Sequence, residues 1–166
     1  MGESYLSFKK DSAEVRELIR WWDALDKDRG ERARLRRCHS LAEVTFSPAY
    51  HRLRQALERH GRVDDDGLAL VAGLTSRVKV STDSSSLAEQ MASGKSDGSA
   101  RVSDLRFRRL LKVKGKQELL GAMTRVIALL GGTANIQSLA QSVYFWNDRT
   151  RKDWAFEYYS KAPTEK

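Results

Sequence analysis

Apolar residues recur at helical spacing along most of the chain, and only two prolines interrupt it. Val15, Leu18, Trp22 and Leu25 align on one face of a 3.6-residue repeat. Tyr50, Leu53 and Leu57 do the same, as do Leu119, Leu120, Met123, Val126, Ile127 and Leu130, and then Ile136, Leu139, Val143 and Trp146. Alternation of β-branched residues is scarce, so the pattern predicts an all-α fold. Ser47-Pro48 reads as an N-cap followed by a first helical position, and Gly61 as the stop. Asp64, Asp65 and Asp66 favour the N-terminal end of the next helix dipole. Gly131-Gly132 ends the helix through Leu130, and the last helical stretch is expected to run past Asn147-Asp148 into RTRKDWAFEYY. The polar run Ser81 to Ser86 reads as a linker, with a second loop at Gly94 to Ser99 and only Leu87 to Ser93 free to be helical between them. The expected architecture is two small helical bundles joined by a short linker, residues 1–82 and residues 83–166.

Hydrophobic content of 40% beside 31% charged residues describes a soluble folded chain. No apolar run approaches the roughly 20 residues that span a bilayer, and no charged-then-apolar signal opens the sequence. Met1-Gly2 has the form of a myristoylation start, but Leu6 stands where Ser or Thr is needed. One cysteine, Cys38, excludes an internal disulfide and fits a reducing cytoplasm, so a cytoplasmic protein without membrane attachment is expected.

The 30 basic and 22 acidic residues give a net charge of +8, unevenly spread. Residues 84–166 hold 14 basic and 8 acidic residues, against 16 and 14 in residues 1–83. Residues 101–125 alone carry eight Lys or Arg and two acids. There Phe107, Leu110 and Leu111 form one helical stripe and Arg101, Arg108 and Lys112 another, one facing protein and the other solvent or phosphate. A second cluster places Arg29, Arg32, Arg34, Arg36 and Arg37 within nine residues, some of them able to pair with Asp26, Asp28 and Glu31. Arginine is the forked donor suited to phosphate. Arg149, Arg151 and Lys152 lie between Trp146 and Trp154, tryptophans better placed as core than as base-stacking platforms. Such a distribution points to nucleic acid first and to an anionic membrane surface second.

Catalytic and metal motifs fail on spacing. Gly94-Lys95-Ser96 ends like a phosphate-binding loop, but Glu89 occupies the place of its first glycine and no strand precedes it. His39, His51 and His60 lack partners at zinc spacing, and consecutive carboxylates at Asp64 to Asp66 point in different directions. No metal, no cofactor and no catalytic residue is expected.

Taken in order, these positions resemble the CasB family, the small subunit of the type I-E CRISPR surveillance complex Cascade. The resemblance rests on the Trp-bearing first helix, Leu35-Arg36-Arg37, Ser47 to Leu53, Ser86-Leu87, Arg101-Val102-Ser103, the Arg106 to Leu111 run, the Leu119 to Leu130 helix, and Tyr144-Phe145-Trp146 leading to Arg149. Ala88 and Gln90 stand where the family commonly has glycine and arginine. The resemblance implies two helical bundles without catalytic activity, placed as two adjacent copies in a ribonucleoprotein. The implied partners are the large subunit CasA, the subunits CasC, CasD and CasE, guide RNA and target DNA. The implied role is to hold the target and displaced strands and stabilise the R-loop, a near-balanced exchange that backbone contacts can tip. Basic positions that match the family are Arg37, Arg106, Arg125 and Arg149, and charge pattern adds Arg36, Arg101, Arg108 and Arg151. Two other readings stay open: a helix-turn-helix regulator, against which the dispersed basic residues argue, and a structural adaptor that uses basic residues for acidic protein partners.

Overall fold

Short polar residues start almost every helix of this chain. The computed structural model describes residues 5–163, so Met1-Gly2 lie outside the described residues. Ten helices follow: α1 (Ala13–Ala24), continued by a 3-10 turn at Leu25–Lys27, α2 (Arg29–Arg36), α3 (Leu41–Thr45), α4 (Pro48–Glu58), α5 (Asp65–Thr75), α6 (Leu87–Ala92), α7 (Asp104–Leu111), α8 (Lys116–Leu129), α9 (Ile136–Tyr144) and α10 (Asp148–Lys161). The side chains of Ser12, Asp28, Ser40, Ser47, Asp64, Ser86, Ser103, Asn135 and Asn147 each accept a backbone N–H of the first turn they open. This satisfies donors that have no partner inside the helix. Only α8, which begins after Gly115, lacks such a cap. Ser86 and Glu89 complete a reciprocal capping box.

Helix α5 is the centre. Every residue from Gly67 to Thr75 is buried, as expected of a helix apolar around its whole circumference. It touches α2, α3 and α4 on one side and α8 and α9 on the other, while α1 lies on α4 and α10 on α6. The buried apolar residues form one connected cluster from Leu6 to Tyr158. The chain is therefore all-α, with helices of residues 1–82 and of residues 83–166 packed across a shared helix. The segment from 81 to 86 is strapped rather than free. Val80–Ser81 (β1) pairs in parallel with Thr133–Ala134 (β2), and Asn135 Nδ2 donates to the Ser85 carbonyl at 2.8 Å. Gly131 and Gly132 turn the chain into β2 at φ of 69° and 80°, the left-handed region that glycine enters without strain.

Two expectations from spacing are corrected. The basic stretch is helical only from Asp104, so Arg101 does not share a helical stripe with Arg108. The final stretch is two helices rather than one. Phe145 leaves helical geometry, Thr150 Oγ1 donates to its carbonyl at 2.6 Å, and Asn147 caps α10. No helix of the described residues is long and apolar enough to cross a membrane.

The packing of this core sets two expected outcomes. A Cβ at Gly67 would lie 2.8 Å from Asp64 Oδ2 and 2.9 Å from Tyr144 Cδ2, whereas at Gly121 its nearest neighbour is Arg125 Nη1 at 3.8 Å. Gly67→Ala should therefore cost about 1–3 kcal/mol by overpacking, and Gly121→Ala should add about 0.5–1 kcal/mol by lowering unfolded-chain entropy, both read from urea denaturation midpoints. Burial, reinforced by Asp65 and Asp104 respectively, pushes Tyr50 and Tyr158 up to about 12 from 10.0. The folded state thus keeps protons that the unfolded state releases, so the stabilisation is whole below about pH 10 and lost as pH rises through about 12. Urea midpoints should hold between about pH 8 and 9 and fall by about pH 11, and the fall should shrink in Tyr50→Phe/Tyr158→Phe.

Candidate nucleic-acid interface

Helix α7 is fixed by its aromatic side. Phe107 stacks on Tyr158 with ring centroids 3.9 Å apart and planes 7° from parallel. Tyr158 Oη donates to the Val102 carbonyl at 2.6 Å, and Tyr159 Oη donates to Asp104 Oδ1 at 2.5 Å. That Asp104 contact raises Tyr159 above the usual tyrosine range, with burial adding to it. The far end of the α7 segment is held as firmly, because the Val113 carbonyl accepts from Trp146 Nε1 at 2.7 Å and from Arg151 Nη1 at 3.1 Å. With Phe107 and Leu110 turned inward, Arg106 and Arg109 are left exposed, three residues apart on one side of the helix.

That side meets α8. Leu119, Leu120, Met123, Val126 and Ile127 face the core, which leaves Glu118, Ala122, Arg125 and Leu129 along a neighbouring stripe. The two stripes enclose a groove of about 600 Å³ with Arg106, Arg109 and Arg125 as its cations and Glu118 as its single acid. Among the described residues none of these three guanidiniums forms an ion pair with a carboxylate. The structure thus joins Arg106 and Arg125, far apart in sequence, and adds Arg109, which charge pattern and resemblance both leave out. The sequence signal for Arg109 is its spacing of three from Arg106.

The other expected positions separate into kinds. Arg36 and Arg37 are exposed at the end of α2, in a turn held from beneath by Arg77. Arg77 donates to the carbonyls of Gly73, Arg36 and Cys38 at 2.5, 2.9 and 2.8 Å, and its burial lowers the guanidinium below its ordinary range. Gln117 of α8 also bonds this turn, donating to the His39 carbonyl and accepting from Leu41 N–H. Arg101 is exposed beside Val102, which lines the groove. Arg108 spends its Nε on Asp104 at 3.0 Å. Arg151 is largely covered, pairs with Asp148, donates to Val113 and lies 6.0 Å from the Trp146 ring centroid. Its guanidinium is a strut of the fold.

Arg149 sits elsewhere, in a larger cleft of about 1230 Å³ between the N-terminal segment, the 81–86 strap, α9 and α10. There Lys9, Lys10 and Arg149 face Asp11, Asp83, Asp153 and Glu157, a balance of charge that does not favour a polyanion. Burial raises the Glu157 carboxyl although Ser86 Oγ donates to it. In the first arginine cluster, Arg32 pairs with Asp26 and donates to the carbonyls of Ser76 and Val78, and Arg34 pairs with Glu31. Gln90, at the position of the family's frequent arginine, turns inward: its Oε1 accepts from Asn135 N–H at 2.9 Å and its Nε2 donates to the Thr133 carbonyl. Among the described residues no group of three or more His, Cys, Asp or Glu could hold a metal ion.

Comparison with solved structures returns the same architecture. A chain in the E. coli Cascade bound to a PAM-containing dsDNA target matches with a TM-score of 0.69 at 20% identity, covering 87% of this chain and 93% of that one. CasB from Thermus thermophilus matches at 0.67 and 20% identity, covering 90% and 99%. A CRISPR-associated protein of the Cse2 family, also from Thermus thermophilus, matches at 0.67 and 23% identity, with the same coverage. No curated protein matches the chain by sequence. The model for CRISPR-associated protein Cse2 aligns with residues 31–159, a span that runs from the first arginine cluster through both walls of the α7/α8 groove to the end of the Phe107 stack, and the chain belongs to that family.

Proposed function

We propose that this protein is a non-catalytic small subunit of a cytoplasmic CRISPR Cascade ribonucleoprotein, which holds target and displaced DNA strands and so stabilises the R-loop. The observation that carries the proposal is the convergence of Arg106, Arg109 and Arg125 on one groove with a single acid. Exposed guanidiniums held on rigid helices are well suited to phosphate. The family membership supports a CRISPR role, and the fold likeness to a chain of a DNA-bound Cascade supports a place beside guide RNA and target DNA. Arg36, Arg37 and Arg101 extend the cationic surface. Arg108 and Arg149 take smaller parts, since Asp104 already pairs with Arg108 and four carboxylates line the cleft that Arg149 shares. A docking role runs alongside: Leu105, Phe156 and Tyr159 are large apolar side chains left 50%, 70% and 51% exposed on α7 and α10. They suit contact with another subunit, whether CasA, CasC, CasD, CasE or a second copy of this chain.

The test is target-DNA affinity of the reconstituted complex across a salt series. Each alanine at Arg106, Arg109 or Arg125 should lower the slope of log affinity against log salt by about 0.7–0.9. Glutamate should cost more than alanine at each site, because repulsion replaces attraction. Thermal melting of these variants should stay within about 0.5 kcal/mol of the parent, while Arg151→Ala should lower the melting temperature by removing a strut. Unchanged affinity in all three groove variants would refute the assignment. Labelled DNA and RNA incubated with the purified protein and Mg²⁺ should be recovered uncut.

A further inference from the structure

Two helices end on one buried arginine. Arg77 follows α5 and turns back beneath the last turn of α2, donating to the carbonyls of Gly73, Arg36 and Cys38. Of the four carbonyls that end α2, those of Ala33 and Arg34 accept the Arg37 N–H and that of Leu35 accepts the Cys38 N–H. The fourth, at Arg36, has Arg77 as its partner. Among the described residues Arg77 forms no ion pair with a carboxylate. Its counter-charge is the two helix ends themselves, since each carries about half a negative charge. Burial lowers Arg77 below the ordinary guanidinium range and the charge of Arg36 lowers it too, so the two guanidiniums feel one another across the turn.

A helix C-terminus is poor ground for phosphate. Unfilled carbonyls there repel an anion and attract any basic side chain of the last turn. Arg36 and Arg37 stand at that place, and were the Arg36 and Cys38 carbonyls unfilled, their own guanidiniums would be drawn back onto the backbone. Arg77 fills those carbonyls from beneath. Arg36 and Arg37 are exposed, and among the described residues their guanidiniums bond to no carboxylate or carbonyl. Gln117 of α8 clasps the other side of the turn, at the His39 carbonyl and the Leu41 N–H. We infer that Arg77 is a positioning residue of the nucleic-acid surface: it touches no phosphate, and by capping α2 from within it keeps Arg36 and Arg37 turned outward. The inference rests on the nucleic-acid reading above and gives Arg77 a part that reading leaves open.

The experiment is a double-mutant cycle on the target-DNA affinity of the reconstituted complex. Arg77→Met keeps an apolar stem and removes the fork. It should lower affinity about two- to tenfold, the range of one net hydrogen bond. In Arg36→Ala/Arg37→Ala it should lower affinity no further, because no outward guanidinium is left there to position. The melting temperature should fall by the same amount in both backgrounds, which separates the two effects: stability is lost wherever Arg77 is lost, affinity only where Arg36 and Arg37 are present. Arg77→Lys, which keeps the charge without the fork, should lose less affinity than Arg77→Met and serves in the same cycle if that variant does not assemble. Equal affinity losses in both backgrounds would make Arg77 a support of the whole fold and overturn the inference, and so would unchanged affinity in Arg77→Met. Unchanged affinity in Arg36→Ala/Arg37→Ala would overturn it as well, by taking the turn off the nucleic acid, while the groove of Arg106, Arg109 and Arg125 would still stand or fall by its own variants.

Discussion

Burial of α5 on every side is the constraint to which the remaining helices answer. Leu68, Leu70, Val71 and Leu74 point around the axis of α5 and would each expose apolar surface at a cost, so other helices cover it from several directions. The covering helices come from both halves of the chain. Gly67 admits Tyr144 of α9 to close approach, and Gly73 admits Leu120 of α8 and Val44 of α3. Tyr144 Oη then accepts the Asp64 N–H at 2.7 Å, joining the start of α5 to the end of α9. Placing α8 is thus a consequence of burying α5, and placing α8 sets one wall of the cationic groove.

Arginine in this protein does two unlike jobs. Arg32, Arg77 and Arg151 turn inward and donate to carbonyls where the chain leaves a helix. Those carbonyls have no intrahelical partner, and a multidentate side chain that carries its own apolar stem can reach them from a neighbouring element. Arg106, Arg109 and Arg125 turn outward and make no such bonds among the described residues. The inward group steadies the surface that carries exposed arginines: Arg77 holds the Arg36-Arg37 turn, and Arg151, with Trp146, holds Val113 at the end of the groove. A cation on a fixed support loses less entropy on meeting phosphate than one on a loose loop.

The chain's own pattern determined the helical class, some helix starts and most inward faces. Starts such as Ser47-Pro48 and Asp64, and stripes such as Leu119 to Leu130, are local physics: a side chain reaching a backbone N–H within one turn, and a 3.6-residue period. The order of short motifs also carried the resemblance to CasB. The break at Phe145 to Asn147 was less legible, because the apolar period continues through it and only Thr150 Oγ1 returning to the Phe145 carbonyl reveals the end.

What tertiary structure alone decided is which basic residues stand together. Charge pattern treats Arg106, Arg125, Arg149 and Arg151 alike, for much of what separates them arrives from other elements: the Val113 carbonyl that holds Arg151, Asp11 and Asp83 in the cleft of Arg149, and α8 beside α7. Folding sent Arg151 to the Val113 carbonyl, set Arg149 in a cleft lined by four carboxylates, and brought Arg125 to the same groove as Arg106 and Arg109. Composition and periodicity determine that a helix has a basic side, because each is a property of the segment itself. Whether that side is a strut, a balanced cleft or an open groove depends on which helix is packed against it, and that was settled by the burial of α5.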